Sequence, residues 1–208
     1  MQWPSGRCPG ASPILAGVRG ILGGTFDPPH VAHFVAAEAA YHQLALERVT
    51  FIPAGAPWQK VDRVVSEREH RWAMTLRAID GIDYFDADDR EIQADGWTYT
   101  ADTLDSLDPS EELILILGGD AALGLPSWHR PEVVVERVRL AVYDRPGVAR
   151  GAVEDAVQAP ITWLDAPELA ISGTTIREMV REGKSPRFLV TDSVWAYIEE
   201  QGLYRDAT

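Results

Sequence analysis

The sequence predicts an α/β fold, a doubly wound parallel sheet with a small helical part at its C-terminal end. Three observations carry this. Short apolar runs recur along the chain and are separated by helical stretches, the order that builds parallel βαβ units. The run Leu113 to Leu117 reads LILIL between Glu111-Glu112 and Gly118-Gly119. Apolar at consecutive rather than alternate positions, it suits a strand buried on both faces, as central parallel strands are. Finally, the first apolar run passes straight into Gly23-Gly24 and then an Ala-rich helix, placing a glycine turn between strand and helix.

Val18 to Leu22 is the first expected strand, stopped by the turn Gly23-Gly24-Thr25-Phe26-Asp27-Pro28-Pro29. A helix follows from about His30 to Tyr41, with Val31, Phe34, Val35 and Ala39 as its core-facing stripe. Val49 to Ile52 and Tyr84 to Ala87 read as the next strands, with a charged helix over about Ser66 to Ile79 between them. After the LILIL strand come Arg139 to Tyr143 and Ile161 to Leu164. Two helices close the chain, Thr174 to Glu182 and Asp192 to Glu200, the second with Asp192 as its N-cap. No internal repeat, low-complexity tract or linker interrupts Val18 to Tyr204, so residues 18–208 are expected to form one domain. Residues 1–17, with three Pro and three Gly, lack the run of about 7–15 apolar residues of a signal peptide and read as a mobile arm.

Composition narrows the function classes. The 208 residues are 46% hydrophobic and 25% charged, as in an ordinary globular protein, and no apolar run approaches the about 18 residues of a membrane span. With 19 basic and 32 acidic residues the formal charge is −13, the wrong sign for a broad nucleic-acid footprint. Any phosphate site must therefore be local, built from a few cations and backbone N–H groups. Seventeen of the 19 basic residues are Arg, and Lys60 and Lys184 are the only lysines. A single cysteine, Cys8, has no internal disulfide partner, so a reduced, cytoplasmic setting is expected.

The strongest chemical signal is the run Gly23 to His33. Glycines let the backbone approach a ligand closely, and the following helix points its free N–H groups and positive dipole end at the same spot. That arrangement cradles phosphate. His30 and His33 are separated by about 60° around the helix axis, so both imidazoles can face one ligand. Two histidines so spaced also suit a half-buried surface pair, or zinc if a third ligand is supplied. No third Cys, His or acidic ligand stands at a recognisable spacing, and placement after the glycines favours the phosphate role.

This run resembles the GGTFDPxHxGH signature of the nucleotidyltransferase superfamily. More specifically, residues 18 to 204 resemble the nicotinate-mononucleotide adenylyltransferase family, through several motifs in the same order. The resemblance implies a Rossmann-like nucleotidyltransferase fold. It also implies an ATP site using Gly24, Thr25 and Phe26 through their backbone N–H groups, with His30 and His33 as catalytic donors. Ile52 to Lys60 matches the segment that usually reads Pro-Pro-His-Lys. Here it is Pro57-Trp58-Gln59-Lys60, so Lys60 carries over as a catalytic cation and the histidine does not. A solvated loop lysine is the alternative.

Thr98-Tyr99-Thr100-Ala101-Asp102-Thr103-Leu104 resembles the family's Tyr-Thr-x-Asp-Thr-Leu segment, which implies that Thr98, Tyr99 and Thr100 bind the pyridine carboxylate. Thr98 or Thr100 can equally act as an N-cap. Gly118-Gly119-Asp120 and the later Ser127-Trp128 resemble Gly-x-Asp and a downstream Trp. This implies Gly119 and Asp120 at the adenosine and Trp128 stacked on the pyridine ring, although most of the seven tryptophans must serve packing. Ile171 to Arg177 resembles Ile-Ser-Ser-Thr-x-Ile-Arg, implying that Ser172, Thr174, Thr175 and Arg177 hold the β- and γ-phosphates. Two departures are Ala32 for glycine between the histidines and Gly173 for the second serine. Gly183-Lys184-Ser185 imitates a P-loop end, but Glu178 occupies the position that requires glycine.

The activity implied is adenylyl transfer from ATP to nicotinate mononucleotide in NAD biosynthesis. Mg²⁺ is expected to travel on the ATP phosphates with few or no protein ligands and no protein metal site. The partners are the two small-molecule substrates, with no nucleic acid and no membrane, and the sequence is compatible with a homo-oligomer. Alternatives are a relative acting on nicotinamide mononucleotide or pantetheine phosphate, an inactive nucleotide-binding module of the same fold, and a zinc protein using His30 and His33.

Overall fold

A computed structural model describes residues 17–57 and 65–205. The segment read as an N-terminal arm, apart from Gly17, and the loop carrying Lys60 lie outside the described residues. In chain order the elements are β1 (Val18–Gly24), α1 (Val31–Gln43), β2 (Arg48–Pro53), β3 (Ala56–Pro57), α2 (Arg68–Ile79), β4 (Phe85–Ala87), α3 (Arg90–Gln93), β5 (Trp97–Thr98) and α4 (Thr100–Asp105). They continue with β6 (Glu112–Gly118), α5 (Gly119–Leu123), a 3₁₀ turn (Leu125–Ser127), α6 (Pro131–Arg137), β7 (Arg139–Tyr143), α7 (Arg150–Val157), β8 (Ile161–Leu164), α8 (Gly173–Arg181) and α9 (Asp192–Gln201).

The main sheet has six parallel strands in the order β4-β2-β1-β6-β7-β8. From β1 the chain winds outward to β2 and β4, then returns to β6 and winds the other way. The strand order therefore reverses between β1 and β6, and ligands in such sheets bind beyond the carboxyl ends of the strands at that reversal. β3 and β5 form a separate two-stranded ribbon beside this opening.

Both faces of the sheet are buried, as the LILIL run predicts. Ile114 and Ile116 belong to one core cluster, which includes Ala37 and Ala40 of α1, Met74 of α2, Ile176 of α8 and Val194 of α9. Leu113, Leu115 and Leu117 belong to the opposite cluster, with Leu104 of α4, Ala122 of α5, Val134 of α6 and Val153 of α7. This period-two division is what a strand between two helical layers requires. The two C-terminal helices are thus part of one layer's packing.

Three local expectations are corrected. The buried residues of α1 are Ala32, Ala36, Ala37 and Ala40, while Val31, Phe34, Val35 and Ala39 are only partly covered. Four methyl side chains let the helix lie close against the sheet, where a branched stripe would hold it off. The N-cap of α9 is Thr191, whose side chain accepts the Val194 N–H, rather than Asp192. β1 also runs two residues past Leu22, because Gly23 and Gly24 keep register with Ile52 and Pro53.

Candidate active site

A cleft of about 800 Å³ opens at the carboxyl ends of β1 and β6. Its floor is the loop from β1 to α1. Gly24 is needed there for space: a β-carbon would stand 3.0 Å from the Phe26 ring. That ring is 1% exposed in the core, and Phe26 adopts φ 49°, the left-handed region that β-carbon sterics disfavour. Turning the Phe26 side chain down leaves the Gly24, Thr25 and Phe26 backbone lining the cleft.

His30 and His33 also line it, at the start of α1. Their rings stack with centroids 3.8 Å apart and planes inclined by 27°. The His30 N–H donates to His33 Nδ1 at 3.1 Å. With Nδ1 accepting, a neutral His33 carries its proton on Nε2 and is a donor there. Phe26 packs edge-on against the His33 ring, with centroids 4.9 Å apart. Stacked imidazoles do not converge on one ion, and among the described residues no three His, Cys, Asp or Glu side chains are grouped to hold a metal.

From the far end of the chain, α8 brings Ser172, Thr174 and Arg177 to the same cleft. Arg177 Nη1 donates to the Asp27 carbonyl at 2.7 Å and lies 3.8 Å from Asp27 Oδ2, while Nη2 donates to Thr174 Oγ1 at 3.3 Å. Histidines and arginine, nearly 150 residues apart in sequence, thus meet across one loop. Thr175 is not among the cleft-lining residues: its N–H donates to the Ser172 hydroxyl at 3.1 Å, which caps α8. Gly173 approaches so closely that a β-carbon would sit 2.7 Å from the Asp27 carbonyl oxygen. Restoring the family serine is therefore expected to do harm. Gly173→Ser should cost about 1–3 kcal/mol through overpacking against backbone and lower turnover by displacing the Asp27 carbonyl from Arg177. A Tm at or above the wild-type value would contradict this packing.

Thr98, Tyr99 and Thr100 line the side of the cleft between β5 and α4. The N-cap of α4 is Tyr99, with no side-chain cap bond, so neither threonine caps it. Tyr99 packs on His129 at a ring-centroid distance of 4.4 Å, and Trp128 lines the cleft beside them, giving an aromatic wall. Asp120 lines the opening above β6, its Oδ1 3.6 Å from Arg145 Nε. Gly119 does not line the cleft. It is buried, and a β-carbon there would meet Val148 at 3.3 Å, so its place is in packing.

Several residues at the site carry no motif signal. Arg145 lines the cleft and donates to the Leu169 and Ile171 carbonyls at 3.2 and 3.3 Å, and its position just past a parallel strand was the available clue. Glu91 lines it too; burial raises its pKa, against the hydrogen bond from the Thr103 hydroxyl at 2.6 Å. Arg71, 1% exposed, donates to the carbonyls of Ser66, Thr25, Ala54 and Gly55 beneath the floor. Burial lowers its pKa, with the nearby Asp27 charge acting in the opposite direction.

Comparison with known proteins bears on the family and the fold. Residues 21–179 match the model of the cytidylyltransferase-like family. A probable nicotinate-nucleotide adenylyltransferase of Salinibacter ruber is 39% identical over 189 residues, covering 89% of this chain and 97% of the relative. One from Desulfitobacterium hafniense is 41% identical over 196 residues, covering 89% and 95%. The fold matches that of a solved Plasmodium falciparum nicotinic acid mononucleotide adenylyltransferase complexed with NaAD, with a TM-score of 0.76 at 19% identity over 90% of this chain and 97% of that one. With the family model matching most of the chain and about 40% identity across nearly the whole length of these relatives, the chain belongs to the nicotinate-nucleotide adenylyltransferase family of cytidylyltransferase-like proteins.

Proposed function

We propose that this protein transfers the adenylyl group of ATP to nicotinate mononucleotide, releasing pyrophosphate and forming nicotinic acid adenine dinucleotide, a step of NAD biosynthesis. The observation that carries the reading is the meeting of His30, His33 and Arg177 on one cleft at the strand-order reversal. The names of the relatives support the choice of substrates.

The attacking phosphate is already an anion, so the reaction needs no general base and no covalent enzyme intermediate. The phosphate oxygen attacks the α-phosphorus in line as the bond to pyrophosphate breaks. What the protein supplies is position and complementary charge. His33 Nε2–H, His30 and the Gly24 to Phe26 N–H groups donate to the α-phosphate. Arg177, Ser172 and Thr174 take the β- and γ-phosphates, and Asp120 accepts from the ribose hydroxyls; the family resemblance assigns a further cation to Lys60, which lies outside the described residues. Trp128 with Tyr99 and His129 stacks on the pyridine, and the Thr98–Thr100 segment receives its carboxylate. Mg²⁺, brought with the nucleotide as part of the substrate, would neutralise charge on the phosphates.

The test is a direct assay of the purified protein with ATP and nicotinate mononucleotide, following pyrophosphate and dinucleotide, beside nicotinamide mononucleotide and pantetheine phosphate. Fastest turnover on the nicotinate substrate is expected. ATP binding without pyrophosphate release, or faster turnover of another acceptor, would overturn the assignment.

A further inference from the structure

Asp27 is 5% exposed and belongs to the loop that floors the cleft, and its carboxylate is held by groups outside the chemistry described above. Its Oδ1 accepts the Tyr204 hydroxyl at 2.7 Å, from a residue 177 positions away and past the end of the family match at residue 179. Its Oδ2 accepts the Ser66 N–H at 3.2 Å. Arg177 Nη1 lies 3.8 Å from that carboxylate but makes its short bond, 2.7 Å, to the Asp27 carbonyl. A buried carboxylate this close to a guanidinium ordinarily draws it into a direct, often two-pronged pair. Here each oxygen already has another donor, Tyr204 on Oδ1 and Ser66 on Oδ2, and these two bonds fix how the carboxylate is turned.

We propose that Tyr204 is a positioning residue for the phosphate site: by occupying Asp27 Oδ1 it keeps the carboxylate from pairing fully with Arg177, leaving the guanidinium available to an anion in the cleft. Three further observations fit. Tyr204 holds φ 65°, an unfavourable conformation for a residue with a β-carbon, so the surrounding structure imposes its orientation. Its hydroxyl stands 3.7 Å from Met74 Sδ inside the core. Burial foremost, then the Asp27 charge, pushes its pKa up, so it stays a donor at neutral pH. Without the hydroxyl, Oδ1 loses its buried donor, and the carboxylate is free to turn toward Arg177 Nη1, which already stands 3.8 Å from Oδ2. The guanidinium is then drawn off the phosphates.

The test is ATP binding by calorimetry together with steady-state kinetics on Tyr204→Phe, Arg177→Ala and the double variant, each with its thermal midpoint. Tyr204→Phe is expected to weaken ATP binding, and raise the ATP KM, about tenfold, the scale of one charge-assisted hydrogen bond. The KM for nicotinate mononucleotide should stay within about twofold. In the Arg177→Ala background the same change should add nothing, because the group it protects is gone. Unchanged ATP affinity in Tyr204→Phe, an equal loss in both backgrounds, or a matching rise in both KM values would overturn the proposal. The kinetic arm rests on the adenylyl-transfer reading and the binding arm does not. A wild type that binds ATP but forms no dinucleotide ends that reading alone, and an active wild type with an unaffected Tyr204→Phe ends this one alone.

Discussion

His33→Ala is expected to lose at least about a hundredfold in turnover while remaining folded, because removing one preorganised transition-state donor costs about 2.7–4 kcal/mol. The ring has two separable tasks. Nδ1 accepts the His30 N–H at the start of α1, and Nε2 is the donor the chemistry uses. Alanine removes both, orphaning one helix-start N–H at a stability cost of about 1 kcal/mol. Asparagine and glutamine tell the tasks apart, since the asparagine side chain reaches the Nδ1 position and glutamine the Nε2 position. His33→Asn should recover the thermal midpoint but stay as slow as alanine. His33→Gln should recover part of the turnover. Near-normal turnover in His33→Ala, or full rescue by asparagine, would remove this imidazole from the transition state.

The difference between what the sequence discloses and what it hides follows the range of the interactions. Strands whose character lies in their own residues were readable: Arg139–Tyr143 and Ile161–Leu164 have the expected bounds, and Glu112–Gly118 is one residue longer at each end than its LILIL core. The seven-residue α6, the eight-residue α7 and the four-residue α3 were not read, because each is shorter than the window over which helical periodicity declares itself. On α1 the hydrophobic stripe misled, since large apolar side chains attract attention while close helix-on-sheet packing here is made by alanines.

At the site, motif residues that present N–H groups, hydroxyls or rings from a strand end were legible, and most of them line the cleft. Thr175 and Gly119 lie outside its lining because a motif records which residues recur, not which of them face the ligand. Arg71, Glu91 and Tyr204 were hidden for the opposite reason. Each is ordinary in local sequence, and its function arises only when distant segments close around it. The acidic net charge of −13 was similarly uninformative about a cleft lined by Arg177 and Arg145.

Arg71→Met should be the most destabilising single change among the residues around this cleft, with a loss of about 3–5 kcal/mol, because each of several buried carbonyls left unpaired costs about 1–3 kcal/mol. Among the described residues all its acceptors are backbone carbonyls, Ser66 and Thr25 at 3.0 and 3.1 Å, Gly55 at 2.6 Å, and Ala54. They belong to three separate segments, the β1–α1 loop, the exit of β2 and the approach to α2. Methionine fills much of the volume but donates nothing, so the carbonyls are left buried and unpaired, a cost that packing cannot offset. At about 2–4 °C per kcal/mol for a chain of this size, the midpoint should fall by roughly 6–20 °C. Arg71→Lys keeps the charge but replaces a planar fork with a point donor that cannot span all three segments, so it should fall in between. Thr25 and Ala54 line the cleft, and turnover per folded molecule, measured well below the midpoint, should therefore drop in both variants. A Met variant with a wild-type midpoint would mean that these loops hold together without the guanidinium. A destabilised variant with undiminished turnover would mean that the floor of the cleft keeps its shape without being tied from below.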